Sequence, residues 1–205
     1  MMEWLAAHGV EVFGFVTGAV CVVLAARRHI ANFPIGIANN LVFIVLFIPA
    51  ALYADAGLQV IYIVLAVTGW VGWARGKAAD DRAATVRMPR SAIPRLAAAT
   101  LLCGAILFLL LSAFTDSTTE VADAATTAGS LVAQYMLNRR WIESWYLWIS
   151  VDMVYVGLYI VKGLWITGLL YLLFIGMCVL GLRTWLRAPH AIAEHRTPVD
   201  SEVMV

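Results

Sequence analysis

Charge is what this chain has least of. Only 13% of its 205 residues are charged, and 62% are hydrophobic. A soluble domain carries about 25% charged and 45–50% apolar residues, so a water-soluble globule is excluded and a multi-span membrane protein is implied. Cysteine is also scarce. Cys21, Cys103 and Cys178 lie far apart, each inside an apolar run, which leaves neither a disulfide framework nor a metal-binding spacing. The four histidines, His8, His29, His190 and His195, fall at ends or in loops. No metal and no cofactor is therefore expected. No glycine-rich phosphate loop is present, so the chain holds no ATPase motor. Nor does it hold paired intramembrane acids, a His–metal cluster or a nucleophile beside a base, and an enzyme would need one of these. The single acidic pair in a loop, Asp80-Asp81, is too weak a signal for metal–diphosphate chemistry. No nucleic-acid partner is expected. The start of the chain lacks basic residues before its first apolar run, which ends at Arg27-Arg28 without a cleavage site. It reads as a retained span rather than a signal peptide.

Long hydrophobic runs are abundant. Seven apolar segments stand out, at roughly 10–26, 33–51, 58–74, 96–114, 122–138, 145–161 and 166–185. All should be helices, because an open strand cannot satisfy its backbone in lipid. Some are short, and tilted or bent helices would run past these limits. Basic residues follow the first, third, fifth and seventh runs: Arg27 and Arg28; six between Arg75 and Arg95; Arg139 and Arg140; then Arg183, Arg187 and Arg196. That puts 13 of the 14 Lys and Arg on one side, with Lys162 alone on the other. The basic side is cytoplasmic by the positive-inside rule, which sets the N-terminus outside and the C-terminus inside. The stretch from 75 to 95, with Pro89 and Pro94, reads as a solvated basic linker. Residues 188–205 read as a polar, disordered tail.

The two ends of the chain echo each other. Arg27-Arg28-x-Ile30-x-x-Phe33 recurs 112 residues later as Arg139-Arg140-x-Ile142-x-x-Trp145. At the same offset Asn40 falls on Asp152, and Gly69, Trp73 and Arg75 fall on Gly181, Trp185 and Arg187. Leu52-Tyr53 recurs as Leu158-Tyr159 at an offset of 106, so the repeat needs a gap between Asn40 and Gly69. The expected architecture is an all-α membrane domain of seven transmembrane helices in a 3+1+3 parallel repeat. Repeat 1 spans about 10–74, a linker loop and helix about 75–114, and repeat 2 about 122–187.

Chemistry concentrates in the sixth segment. Trp145, Trp148, Asp152, Tyr155 and Tyr159 are spaced 3, 4, 3 and 4 apart, which makes one stripe on one helical face. An acid at the centre of a membrane helix costs about 2.5–3.5 kcal/mol on insertion scales, so it is a functional candidate by default. A carboxylate among aromatic rings suits a flat organic cation, which ring faces attract by about 2 kcal/mol when desolvated. The bland readings are interfacial anchoring, which covers Trp145 and Tyr159, and helix–helix hydrogen bonding, which would cover Asp152. Segment 3 carries a second polar face of Gln59, Tyr62, Ala66, Gly69 and Trp73 at the same spacing. Asn39 and Asn40 in segment 2 add to it, as do Asp123, Thr126, Thr127, Ser130 and Gln134 in segment 5. Close helix packing explains Thr126 and Thr127 equally well.

These residues resemble the PnuC family of bacterial vitamin transporters. The family pattern Trp-x-x-Trp-x-x-x-Asn/Asp is present as Trp145, Trp148 and Asp152, preceded by Glu143. The likeness extends to Asn39, Leu52-Tyr53-Ala54, Gln59, Gly69-Trp70-x-x-Trp73, Asp123, Ser130 and Gly181-x-x-x-Trp185. The resemblance implies a fold like the SWEET sugar transporters and facilitated diffusion of a vitamin precursor through the bacterial cell membrane. It favours nicotinamide riboside, for NAD biosynthesis, with thiamine the nearest rival and riboflavin or a deoxynucleoside behind. It further implies trapping by a cytoplasmic kinase and a homotrimeric assembly. Asp152 stands where nicotinamide riboside carriers have Asn, which loosens the substrate more than the family. A membrane sensor that binds the vitamin without moving it is the reading from another class. The substrate-site candidates are Trp148, Asp152, Trp145, Tyr155, Gln59, Asn39, Trp73, Tyr62, Asp123 and Ser130.

Overall fold

The computed structural model describes residues 2–48, 53–78, 85–114, 119–161, 165–187 and 190–191. Seven α-helices account for most of them: α1 Met2–Ala26, α2 Asn32–Phe47, α3 Tyr53–Ala78, α4 Ile93–Phe114, α5 Glu120–Asn138, α6 Ser144–Val161 and α7 Trp165–Leu186. Each contains most of one of the seven apolar segments. Four stretches, in α3, α4, α6 and α7, are long and apolar enough to cross a bilayer. α5 is not one of them, because six of its eight buried positions are Ala, Thr, Gly or Ser. Small residues let backbones approach closely; a Cβ added to Gly129 would come within 2.9 Å of Val151 on α6.

Helix limits follow from local chemistry. Pro34 and Pro94 sit in the first turns of α2 and α4, where a missing N–H costs no hydrogen bond. Glu120 and Asp123 occupy the first turn of α5, where acids favour the helix dipole. α1 and α5 end in the same way. Arg28 and Arg140 adopt φ of 56° and 58°, the left-handed conformation that closes a helix. His29 N–H donates to Leu24 O at 2.8 Å and Trp141 N–H to Met136 O at 3.1 Å. Arg28 N–H donates to Ala25 O and Arg140 N–H to Leu137 O, both at 2.9 Å. Every one of these groups has its counterpart 112 residues away.

Helix neighbours form a ring. α1 packs on α2, α2 on α3, α3 on α5, α5 on α6, α6 on α7, and α7 on α1. α4 stands outside this ring, against α5. Its described helix buries no residue, and Leu101, Leu102 and Leu109 are exposed.

At the basic end the ring is drawn together by aromatic residues. Phe33 meets Trp73 edge to face at 5.1 Å, and Trp145 meets Trp185 likewise at 5.4 Å. Glycine makes the room: a Cβ on Gly69 or Gly181 would lie 2.6 Å from the Phe33 or Trp145 ring. Trp73 and Trp185 each donate the indole N–H to the end of the next helix in the ring. Trp73 Nε1 bonds Asn138 O at 3.1 Å, and Trp185 Nε1 bonds Ala25 O and Ala26 O at 3.2 Å. Asn138 and Ala26 again differ by 112. Arg140 adds a bond to Trp73 O at 3.3 Å and lies over the Trp73 ring at 5.2 Å.

The stretch before α4 departs from the expected solvated linker. Thr85–Val86 (β1) pairs in parallel with His190–Ala191 (β2). Val86 also exchanges backbone hydrogen bonds with the α5–α6 turn, donating to Arg140 O and accepting from Ile142 N–H. Thr85 is fully buried and donates to Trp185 O at 3.2 Å. Met88 N–H donates to Glu143 Oε2 at 2.9 Å. This strap satisfies its backbone on the ends of α5 and α7, and β2 draws the start of the polar tail into order. Apolar patterning does not register so short a pairing. Asp80, Asp81 and Lys162 lie outside the described residues, as does most of the tail.

Candidate functional site

The six ring helices enclose a cavity of about 420 Å³. α4 contributes nothing to its wall. α1 brings Gly18, Cys21, Val22 and Ala25; α2 brings Asn32, Phe33, Gly36, Asn39, Asn40 and Phe43; α3 brings Gln59, Tyr62 and Ala66. On the other side stand Ser130, Gln134 and Leu137 of α5, Trp145, Trp148, Asp152 and Tyr155 of α6, and Tyr171, Phe174 and Cys178 of α7.

Lining residues fall at matching positions on the two sides. At an offset of 112, Gly36, Asn40 and Phe43 correspond to Trp148, Asp152 and Tyr155. Gln59, Tyr62 and Ala66 correspond to Tyr171, Phe174 and Cys178. The first side therefore offers the amides of Asn39, Asn40 and Gln59, and the second the Asp152 carboxylate among rings, with Gln134 beside them. Amides both donate and accept hydrogen bonds, whereas an ionised carboxylate only accepts. On the amide side, Thr17 Oγ1 lies 2.9 Å from Asn39 Oδ1 and fixes that side chain against α1. On the acid side, Asp152 is 7% exposed. It sits eight residues into α6, about 12 Å from the start of that helix at 1.5 Å per residue. Tyr155 continues the aromatic wall into a cluster with Tyr159 and Tyr171, whose ring centroids lie 4.9–6.1 Å apart.

Eight of the ten candidates read from the sequence line this cavity: Asn39, Gln59, Tyr62, Ser130, Trp145, Trp148, Asp152 and Tyr155. Trp73 and Asp123 do not. Trp73 is buried in the aromatic seal at the basic end. Asp123 accepts from Thr119 Oγ1 at 2.8 Å, within the first turn of α5. Tyr171, Phe174 and Cys178 of α7 were not among the candidates. The repeat itself pointed to them, since adding 112 to Gln59, Tyr62 and Ala66 reaches all three.

A ring of helices around a mixed polar and aromatic cavity is the build of a membrane carrier for a small organic molecule. The chain belongs to the nicotinamide mononucleotide transporter family, whose model matches residues 8–187. The nicotinamide riboside transporter PnuC of Escherichia coli (strain K12) is 22% identical over 205 residues, covering 87% of this chain and 85% of that protein. The riboflavin/roseoflavin transporter RibM of Streptomyces davaonensis is 30% identical over 181 residues, covering 85% and 83%. The crystal structure of the vitamin B3 transporter PnuC shares the fold, with a TM-score of 0.68 at 22% identity over 90% of this chain and 83% of that one. This protein is thus a multi-pass membrane protein of a transporter family.

Proposed function

We propose that the protein carries nicotinamide riboside across the bacterial cell membrane by facilitated diffusion, supplying NAD biosynthesis. The observation that supports this most is the acid side of the cavity, where Trp148, Asp152 and Tyr155 share one wall. The nicotinamide ring of the riboside is a flat cation. It suits a carboxylate between rings, and its ribose hydroxyls and carboxamide suit Asn39 and Gln59 across the cavity and Ser130 beside the acid. The curated relatives that carry nicotinamide riboside point the same way.

The helices divide, on this reading, into two three-helix repeats, α1–α3 and α5–α7, joined by α4. The equivalent α3–α5 and α7–α1 contacts favour a two-fold axis along the membrane normal. The basic end faces the cytoplasm, and the N-terminus lies outside. Phe33, Trp73, Trp145 and Trp185 close that end, and delivery inward requires the indole–carbonyl bonds of Trp73 and Trp185 to part. A homotrimer and a cytoplasmic kinase that phosphorylates the product complete the proposal. The kinase would remove free substrate and so draw further entry without ion coupling.

Riboflavin is the second reading, favoured by the relative at 30% identity. Riboflavin is neutral and gains nothing from Asp152. Competition decides between them: titration of the purified protein with nicotinamide riboside, thiamine and riboflavin should show tightest binding of the riboside. Riboflavin binding tighter than the riboside would reverse the assignment.

A further inference from the structure

Among the described residues, the side chain hydrogen-bonded to Asp152 is not a base. Cys178 Sγ of α7 donates to Asp152 Oδ2 at 3.8 Å, a normal reach for a thiol. Both side chains are buried, at 3% and 7% exposure, and both line the cavity. The one ion pair among the described residues, Arg87–Glu143, lies in the strap and the α5–α6 turn. We infer that Cys178 is a positioning residue that sets substrate charge selectivity by fixing the Asp152 carboxylate. This inference rests on reading the cavity as a site for a cationic nucleoside.

Two observations carry it. The repeat supplies the first. In the first repeat the corresponding pair is Asn40 and Ala66; in the second it is Asp152 and Cys178. The thiol stands where the acid stands, and a methyl group stands where the amide stands. The second is chemical. A carboxylate has about four lone-pair sites, and a thiol is a weak donor without charge. Cys178 therefore occupies Oδ2 without supplying a counter-charge, which leaves Oδ1 to the cavity. A lysine or arginine there would have cancelled the charge that a cation reads.

The test compares two probes of one shape, nicotinamide riboside and its neutral 1,4-dihydro form, by titration calorimetry on the purified full-length protein. Wild type should prefer the cation. Cys178→Ala should lower that preference roughly fivefold, the order expected for losing one ordinary hydrogen bond. Cys178→Ser, which keeps a donor, should recover most of it. In an Asp152→Asn background Cys178→Ala should leave the ratio unchanged. A preference within twofold of wild type in Cys178→Ala overturns the inference, as does a change that persists without Asp152. Should the alanine variant not fold, a Cys21→Ala protein capped with methyl methanethiosulfonate gives the same answer, the substitution being needed because Cys21 also lines the cavity. Peptide mass spectrometry should show that saturating riboside slows capping of Cys178 but not of Cys103, and capping should abolish the cation preference. Capping of Cys178 that leaves the preference intact overturns the inference. A wild type without cation preference removes the riboside reading and this inference together, whereas a preference indifferent to Cys178 removes this inference alone.

Discussion

Trp145 and Trp148 stand three residues apart on one face of α6 and answer to different forces. Trp145 is 2% exposed and packs edge to face on Trp185 over the space left by Gly181. Trp148 is half-buried and borders the cavity. Trp145→Ala should cost stability, about 3–5 kcal/mol as for other large buried aromatics, seen as a lowered melting temperature in detergent. Trp148→Ala should leave melting nearly unchanged and weaken riboside binding by about 1–2 kcal/mol, the contribution of a partly desolvated cation–π contact. Ligand-induced tryptophan fluorescence measures the second effect, and equal affinities for wild type and Trp148→Ala would take the stripe out of the site. Helical spacing showed that these two tryptophans share a face. It was blind to the difference between them, because Gly181 and Trp185 lie far along the chain. The same blindness placed Trp73 with the substrate residues, although its indole N–H is spent on Asn138 O.

Among the elements, glycines on α7 separate packing from propensity. Gly181 sits against Trp145, whereas nothing lies within 4 Å of a Cβ on Gly176. Gly181→Ala should destabilise by about 1–3 kcal/mol through overpacking, and Gly176→Ala should be neutral or stabilise by up to about 1 kcal/mol. Thermal unfolding of the two variants checks this, and equal melting would contradict the seal at the basic end. The strap before α4 makes a separate test. Glu143→Ala removes the acceptor of Met88 N–H and the ion pair with Arg87. Trypsin should then cut at Arg87 or Arg90 several times faster than in wild type, and an unchanged rate would show that the strap holds without Glu143. All seven helices were legible as apolar runs, because lipid leaves the backbone no other choice. The strap was not, because two residues of pairing leave no periodic mark.

On the scale of the whole molecule, a few short matches 112 residues apart were legible, and hydrogen bonds, ring pairs and cavity-lining residues occur at positions with that offset. The division of labour between the halves was less so. It depends on what Gly36, Asn40 and Ala66 lack beside Trp148, Asp152 and Cys178, and a lack is visible only once the copies are superposed in space. Orientation rests on the distribution of Lys and Arg. A reporter fused after Val205 should read cytoplasmic, and one inserted within 115–122 should read external; the same side for both would break the seven-span topology. The central claim is passive carriage of a cationic nucleoside, and uptake of labelled nicotinamide riboside into liposomes that hold the purified protein tests it most directly. Uptake should stop at equal inside and outside concentrations, keep that endpoint under an imposed proton or sodium gradient, and persist more slowly in Asp152→Asn. Accumulation above the external concentration that is driven by the gradient and lost in Asp152→Asn would contradict the account and make Asp152 a coupling residue.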